Sequence, residues 1–320
     1  KLLGLYLERP SHCDRIPLSN QRIAKDNWGG YMNSITVKAY AKINLGLDVI
    51  RKRSDGYHDV SMIMQTINLH DTINIKKTRF KTTTISSNLY YLPNDRRNLV
   101  YKAVDLFREN QPVTSGLSIH INKRIPVAAG LAGGSADAAA TLKGLNTLFQ
   151  TGLSLEELMD LGIKLGADVP YCLLMGTALS EGIGEILTPL PPMPNCYILL
   201  VKPNISISTK YVYENLSLDE NNTRHPDILS MINALNEDDI HKFASYMDNI
   251  LETVTAKEYP VVEKIKKIMK ENGALASLMS GSGPTVFGIY KDKVEAEKAY
   301  RFFKSSRFGK QVYLTRPYFP

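Results

Sequence analysis

The sequence predicts an α+β protein of two domains, and three observations carry that prediction. Apolar residues alternate with period two at Ile35, Val37 and Ala39 and again at Ile43, Leu45, Leu47 and Val49, the signature of strands. An alanine-rich stretch from Ser135 to Phe149 and several later amphipathic segments read as helices. Strands and helices then follow one another without the regular βαβ alternation of a doubly wound sheet, which favours α+β over α/β.

The length of 320 residues is more than one core comfortably organises. Pro189, Pro191, Pro192 and Pro194 mark the expected junction. The divisions expected are a leader or appended extension over 1–32, an N-terminal domain over 33–190 and a C-terminal domain over 191–320. Residues 1–32 carry scattered apolar residues without a period and lack the continuous apolar segment of a secretory signal. Met32 therefore reads as the natural start.

The elements follow in order. Ser54-Asp55-Gly56 is a turn signal after the first strands. Met62–Leu69 and Thr72–Ile75 read as two further strands around Asp71. Leu99, Val100, Ala103, Leu106 and Phe107 give Asn98–Asn110 a helical apolar face. A strand at Leu117–Ile121 runs through Lys123 into a glycine-rich loop over 126–134, and the alanine-rich helix begins at once. Ser154 with Glu157 three positions on is a capping box that opens a second helix through Leu165. Gly166-Ala-Asp-Val-Pro170 then leads into an apolar stretch, Val169 to Leu179, that reads as a buried strand. Beyond the proline cluster a strand at Tyr197–Lys202 is expected. Helices from about Asp227 to Leu251 and Val261 to Asn272, a strand at Thr285–Tyr290 and a helix from Lys293 to Ser305 complete the chain.

Composition excludes several classes. Hydrophobic residues make up 43% and charged residues 22%, ordinary for a soluble globular protein. No run reaches the roughly 20 apolar residues needed to cross a bilayer, so no membrane role is expected. Cys13, Cys172 and Cys196 are odd in number and widely spaced, which argues against a disulfide framework or a zinc site and fits a reducing cytoplasm. The net charge of +7 steers anions toward the protein. It lacks the interleaved aromatic and basic stretch of a nucleic-acid binder. A monomer or weak homodimer is expected.

Five stretches carry chemistry. Pro126 opens a loop with Gly130, Gly133 and Gly134 that feeds directly into a helix at Ser135. Glycines let the main chain come close to a ligand, and a helix N-terminus offers unpaired N–H donors to anions. A tight packing turn is the plainer alternative. The common phosphate and nucleophile patterns GxxxxGK[ST], GxGxxG and GxSxG are missing. A second glycine cluster, Ser280-Gly281-Ser282-Gly283-Pro284-Thr285, is either a simple turn or a second wall over the same ligand. Lys42 and Asn44 lie two apart on a strand and share one face; a surface lysine is the bland alternative. Asp168, beside an apolar run, is expensive to bury unpaired. Lys42 is its candidate partner, and an exposed helix-terminal carboxylate is the alternative. Tyr57 and His58 are presented side by side by a turn, which suits stacking and hydrogen bonding to a planar ring. No two histidines sit at metal-ligand spacing, so no protein-only metal site is expected.

Taken together, these segments resemble the GHMP kinase superfamily, named for galactokinase, homoserine kinase, mevalonate kinase and phosphomevalonate kinase. Its three motifs occur in order as Ala41–Leu45, Pro126–Ser135 and Ser280–Val286, and the likeness spans about residues 34–310. Within it, Ala41–Leu45, Asp55–His58, Lys123–Pro126, Gly166–Pro170, Glu181–Leu187 and Pro203–Tyr213 resemble members whose alcohol substrate carries a cytidylyl group. The resemblance implies a ribosomal-protein-S5-like N-terminal domain and an α/β C-terminal domain. It also implies ATP with Mg²⁺ and phosphorylation of a tertiary 2-hydroxyl on the route to isoprenoid precursors. A homoserine- or mevalonate-type kinase is one alternative, and a non-catalytic nucleic-acid-binding protein is another.

The implied roles are these. Asp168 is the catalytic carboxylate with Lys42 beside it. Asn44 and His58 hold the substrate, Tyr57 and Tyr213 sandwich the cytosine, and Thr209 is a nearby polar contact. Pro126, Gly130, Gly133, Gly134 and Ser135 hold ATP phosphates, with Ser135 a contact for Mg²⁺. Asn98 and Lys123 lie near the adenine, and Gly281, Ser282 and Gly283 form the late turn. Three departures stand out. Ala128, Ala129 and Ala132 replace common glycines and imply a stiffer loop. Tyr213 stands where Phe is frequent. Asp137 replaces a usual Asn and implies an extra negative charge near the phosphates.

Overall fold

The structure is a computed structural model that describes residues 32–218, 225–308 and 310–320. The expected leader, Met32 apart, lies outside the described residues. Residues 33–320 form one compact unit.

The early alternation becomes a long antiparallel ribbon, β1 (Ser34–Lys52) with β2 (His58–Thr78). Gly56 turns the chain between them at φ +90°, a value that favours glycine. The two strands expected around Asp71 are one strand. Asp71 is tolerated inside it because backbone N–H groups of Arg124 and Ile125 donate to its carboxylate, at 2.5 and 2.8 Å. Register shifts fall between Tyr40 and Lys42 and between Asn44 and Gly46. Such irregularities re-aim side chains, and here they bracket Lys42 and Asn44. From Ala41 to Val49 every residue is buried, so the surface-lysine alternative fails.

β2 is the spine of a six-stranded sheet. It pairs along its length with β1, and on its other edge with β4 (Gly116–Asn122) and β5 (Thr177–Gly182). The parallel strand β3 (Thr83–Ser87) and the strand β6 (Ile186–Pro189) extend the edges. Helices α1 (Leu99–Asn110), α2 (Gly133–Phe149), α3 (Leu155–Ile163) and α4 (Asp168–Leu174) accompany it. Alanines let α2 lie close to β1 and β2. At Gly144 a Cβ would stand 2.8 Å from Ile75. The capping box at Ser154 and Glu157 is formed as expected.

The apolar run from Val169 is not a strand. It is helix α4 followed, after Gly176 at φ +77°, by β5. Pro170 is third in that helix, where a backbone N–H has no intrahelical acceptor to lose. Strand-like composition was overridden by this first-turn chemistry.

The second sheet is antiparallel, in the order β10 (Gln311–Thr315), β7 (Tyr197–Lys202), β9 (Val286–Tyr290), β8 (Ala276–Met279). Helices α9 (Val261–Glu271) and α10 (Lys293–Ser305) pack on it. Its apolar core is continuous with residues of the first sheet, including Leu47, Met62 and Met64. The helix expected over 227–251 is interrupted. α6 (Ile228–Asn236) ends near Asp238 at φ 54°, Asp239 caps α7 (Ile240–Tyr246), and α8 (Glu252–Glu258) follows. The intervening segment instead pairs with β1: Leu47 N–H donates to Asp248 O and Ile250 N–H to Leu47 O, each at 3.0 Å. A short helix, α5 (Thr209–Glu214), was not anticipated. Among the described residues no helix is long and apolar enough to cross a membrane.

Candidate active site

One cleft of about 970 Å³ gathers β1, the turn before β2, the glycine loop, the start of α4, α5 and the late glycine turn. Lys42, Asn44, Tyr57, His58, Asn98, Lys123, Pro126, Gly130, Gly133, Gly134, Ser135, Asp168, Thr209, Tyr213, Gly281 and Ser282 all line it, whereas Gly283 does not. The space is at the large end of small-molecule sites.

The decisive pair is Lys42 and Asp168. Lys42 Nζ lies 3.9 Å from Asp168 Oδ1, with side chains 6% and 35% exposed. That is ion-pair range but too long for a hydrogen bond. The hydrogen bond of the ammonium goes to Asn44 Oδ1 at 2.7 Å. Asp168 opens α4, where an acidic residue sits well against the helix dipole. The carboxylate therefore faces the cleft with accepting capacity to spare.

The loop from Pro126 to Ala132 bends through three left-handed residues, Ala128 (φ 50°), Gly130 (φ 72°) and Ala132 (φ 54°). The stiff-path expectation concerned these alanines. The structure places two of the three, Ala128 and Ala132, in a conformation that costs a non-glycine residue about 1–2 kcal/mol. α2 starts at Gly133 behind Ala132, which has no side chain to cap it. Ser135, where the sequence placed the start of the helix, is its third residue and not its cap. The first turn of α2 thus lines the cleft without a capping side chain.

Lys123 turns its charge inward. Its ammonium hydrogen-bonds Asp71 and, at 2.6 Å, Asp137. The three side chains are at most 7% exposed. Burial alone would lower the Lys123 value, but the two carboxylates outweigh it and hold the ammonium above its ordinary range. Burial pushes the Asp137 carboxyl up to about 8, with Lys123 opposing and Asp71 adding to the rise. A carboxyl so raised is mostly protonated near pH 7, so Asp137 accepts from Lys123 without bringing the full extra negative charge expected of it. Asn98 is likewise committed: it caps α1 by accepting from Val100 N at 3.0 Å and donates to Pro93 O at 2.8 Å.

At the other end of the cleft, Tyr57 is 60% exposed on a turn held by Asp55, which accepts from Tyr57 N at 3.0 Å. The His58 ring lies 5.1 Å from that of Tyr213, tilted by 46°. Burial, and then Lys52, hold His58 below its ordinary value, so it is neutral near pH 7. Thr209 and Ser282 share a hydrogen bond at 2.8 Å, which links α5 to the late turn.

Sequence reasoning missed the residues that hold these parts together. Asn249 and Glu252 carry no motif of their own, and Ser280 entered only as the first residue of the late glycine cluster, without a role. The place of Ser280 at the head of that cluster was the only available signal.

Residues 98–176 match the GHMP kinases N terminal domain, and residues 231–309 match GHMP kinases C terminal. The 4-diphosphocytidyl-2-C-methyl-D-erythritol kinase of Lachnoclostridium phytofermentans is 59% identical over 89% of this chain and 98% of its own length. This chain belongs to the 4-diphosphocytidyl-2-C-methyl-D-erythritol kinases of the GHMP family. The kinase of that name from Clostridium perfringens is 49% identical over 88% of this chain and 97% of its own. A crystal structure of 4-(cytidine 5'-diphospho)-2C-methyl-D-erythritol kinase superposes with a TM-score of 0.75 at 29% identity, covering 89% of this chain and all of that one. A homoserine kinase from Cytophaga hutchinsonii shares the fold at 22% identity and a TM-score of 0.70. A GHMP kinase is a small-molecule phosphotransferase, with ATP as its co-substrate.

Proposed function

We propose that the chain transfers the γ-phosphoryl group of ATP to the 2-hydroxyl of 4-diphosphocytidyl-2-C-methyl-D-erythritol. The observation that carries the reading is the Lys42–Asp168 pair in the same cleft as the α2 N-terminus and the loop from Pro126. The names of relatives at 49–59% identity supply the substrate.

In this reading the α2 N-terminus and loop amides take the ATP phosphates, and the hydroxyl is placed between them and Asp168. The hydroxyl oxygen bonds to the γ-phosphorus as the bond to the β–γ bridging oxygen breaks. ADP leaves with that electron pair, and Asp168 takes the hydroxyl proton. A positioned base contributes about 10²–10⁴-fold; in-line placement and charge neutralisation supply the rest. Lys42, steadied by Asn44, balances the charge of Asp168 and the incoming phosphoryl group. The Ser135 hydroxyl, at the cleft wall beside the phosphate loop, is a hard oxygen donor that fits Mg²⁺ otherwise held by phosphates. The ion would neutralise charge on the phosphates.

The cytosine lies toward Tyr57, His58 and Tyr213, where neutral His58 offers one donor and one acceptor to the base edge. The chain divides near residue 190 into an ATP-binding part and a part that completes the substrate site. A cytoplasmic location fits such an enzyme.

Phosphorus NMR of the product formed from ATP and each of 4-diphosphocytidyl-2-C-methyl-D-erythritol, homoserine and mevalonate tests the reading. A phosphomonoester on the cytidylyl substrate is expected. Transfer to homoserine or mevalonate in its place would overturn it. Tyr57→Ala should raise KM for the cytidylyl substrate about ten-fold with kcat little changed, as loss of one stacking face of roughly 1–3 kcal/mol requires.

A further inference from the structure

We infer that Ser280 is a positioning residue that sets the register between the phosphate loop and the Lys42–Asp168 pair. Its hydroxyl sits where three separate segments meet. Ser280 Oγ donates to Gly130 O at 2.8 Å and accepts from Asn44 N at 3.3 Å. One hydroxyl proton and its lone pairs meet both demands. Ser280 is fully buried, so neither bond competes with solvent.

The two partners belong to the two halves of the chemistry. Gly130 lies in the loop ahead of α2. Asn44 holds Lys42 through its side chain at 2.7 Å. The contact with the loop is close: a Cβ on Gly130 would stand 2.1 Å from Ser280 O. This approach requires glycine at position 130 for reasons of space as well as for its positive φ.

Ser280 itself is held from behind. Its N–H donates to Thr285 O at 2.9 Å, and its carbonyl accepts from Gly283 N at 3.0 Å. Asn249 Nδ2 donates to Met279 O at 2.8 Å and Gly281 O at 2.9 Å, on either side of the serine. Glu252 Oε1 accepts from Met279 N at 2.6 Å. The late turn is thus a rigid block, and the Ser280 hydroxyl is its pin into both the loop and β1. Phosphoryl transfer is sensitive to such placement, because a shift of about 1 Å costs on the order of 10²-fold. A loosened pin lets water compete with the alcohol for the γ-phosphorus, giving ADP and inorganic phosphate without product.

The inference rests on the reaction proposed above, and the test separates the two. Wild-type enzyme with ATP and the cytidylyl substrate decides the reaction. The ratio of ADP to phosphorylated alcohol in variants, relative to wild type, decides the pin. Ser280→Ala should lower kcat about 10–100-fold and leave KM for ATP within about three-fold. It should raise ADP above one per product. Ser280→Cys keeps the volume with a weak donor, gives the same readout should the alanine variant not fold, and should shift the ratio less. One ADP per product in the folded variants, whatever their kcat, would overturn the inference, since a merely structural serine would not uncouple the two outcomes.

Discussion

Of the lysines that line the cleft, Lys42 and Lys123 are held in opposite ways. Lys42 stands 3.9 Å from a carboxylate that is 35% exposed and donates its hydrogen bond to the oxygen of a neutral amide. Lys123 is enclosed by two buried carboxylates and hydrogen-bonds both. The first arrangement leaves charge available to a ligand; the second consumes it internally. Burial of a lysine is thus no guide to its role, whereas the state of its partner is. Asp168 keeps accepting capacity at the cleft, while Asp71 has its oxygens filled by Lys123, Arg124 N and Ile125 N.

The largest expected effect breaks this contrast from the first side. Asp168→Asn should lower kcat by about 10²–10⁴-fold while nucleotide titration still gives wild-type ATP affinity. A near-normal kcat would place the base elsewhere. The second side should respond in stability. Lys123→Met leaves Asp71 buried without a cation and Asp137 without its hydrogen-bond donor, at a cost of about 3–5 kcal/mol, read as a large fall in Tm or in soluble yield. A variant as stable as wild type would show the enclosed lysine to be dispensable.

A subtler test sharpens the same side. The folded Asp137 carboxyl keeps its proton up to about 8, against an ordinary 3.8. Its value is raised, so the stability it contributes is full below the ordinary value, declines as pH rises between the two and is gone above about 8. Asp137→Asn, which keeps the shape and removes the titration, should gain stability relative to wild type from pH 6 to 9. Parallel Tm curves for the two proteins would refute this. The smallest effect concerns the loop between the lysines. Ala132→Gly relieves a left-handed alanine at about 1–2 kcal/mol but adds unfolded-state entropy of about 0.4–1 kcal/mol. A net gain of a few tenths to 1 kcal/mol is expected in denaturant unfolding, and a loss would mean that the loop needs its methyl groups.

Most of the site was legible because its chemistry is local. Glycines before a helix, a carboxylate in Gly166–Pro170 and the Tyr57-His58 turn lie in contiguous strings, and these converge in the cleft. Element type failed where local cues conflict. Val169 to Leu174 has the composition of a strand, yet Asp168 and Pro170 in the first turn favour a helix. The expected helix over 227–251 breaks because 248–250 pairs with Leu47, about two hundred residues away. No local pattern records such a partner.

The order of most elements and the glycine loop that feeds a helix were legible in the sequence alone, because each follows from the conformational preference of neighbouring residues, and the family resemblance named Asp168 as the candidate base. Which lysine is free and which enclosed, and that Ser280 joins Gly130 to Asn44, only the tertiary structure decided. Those facts depend on side chains brought together from 236 positions apart in the case of Asn44 and Ser280. Hydrogen-bond geometry and desolvation act on distance in space, to which separation along the chain is blind.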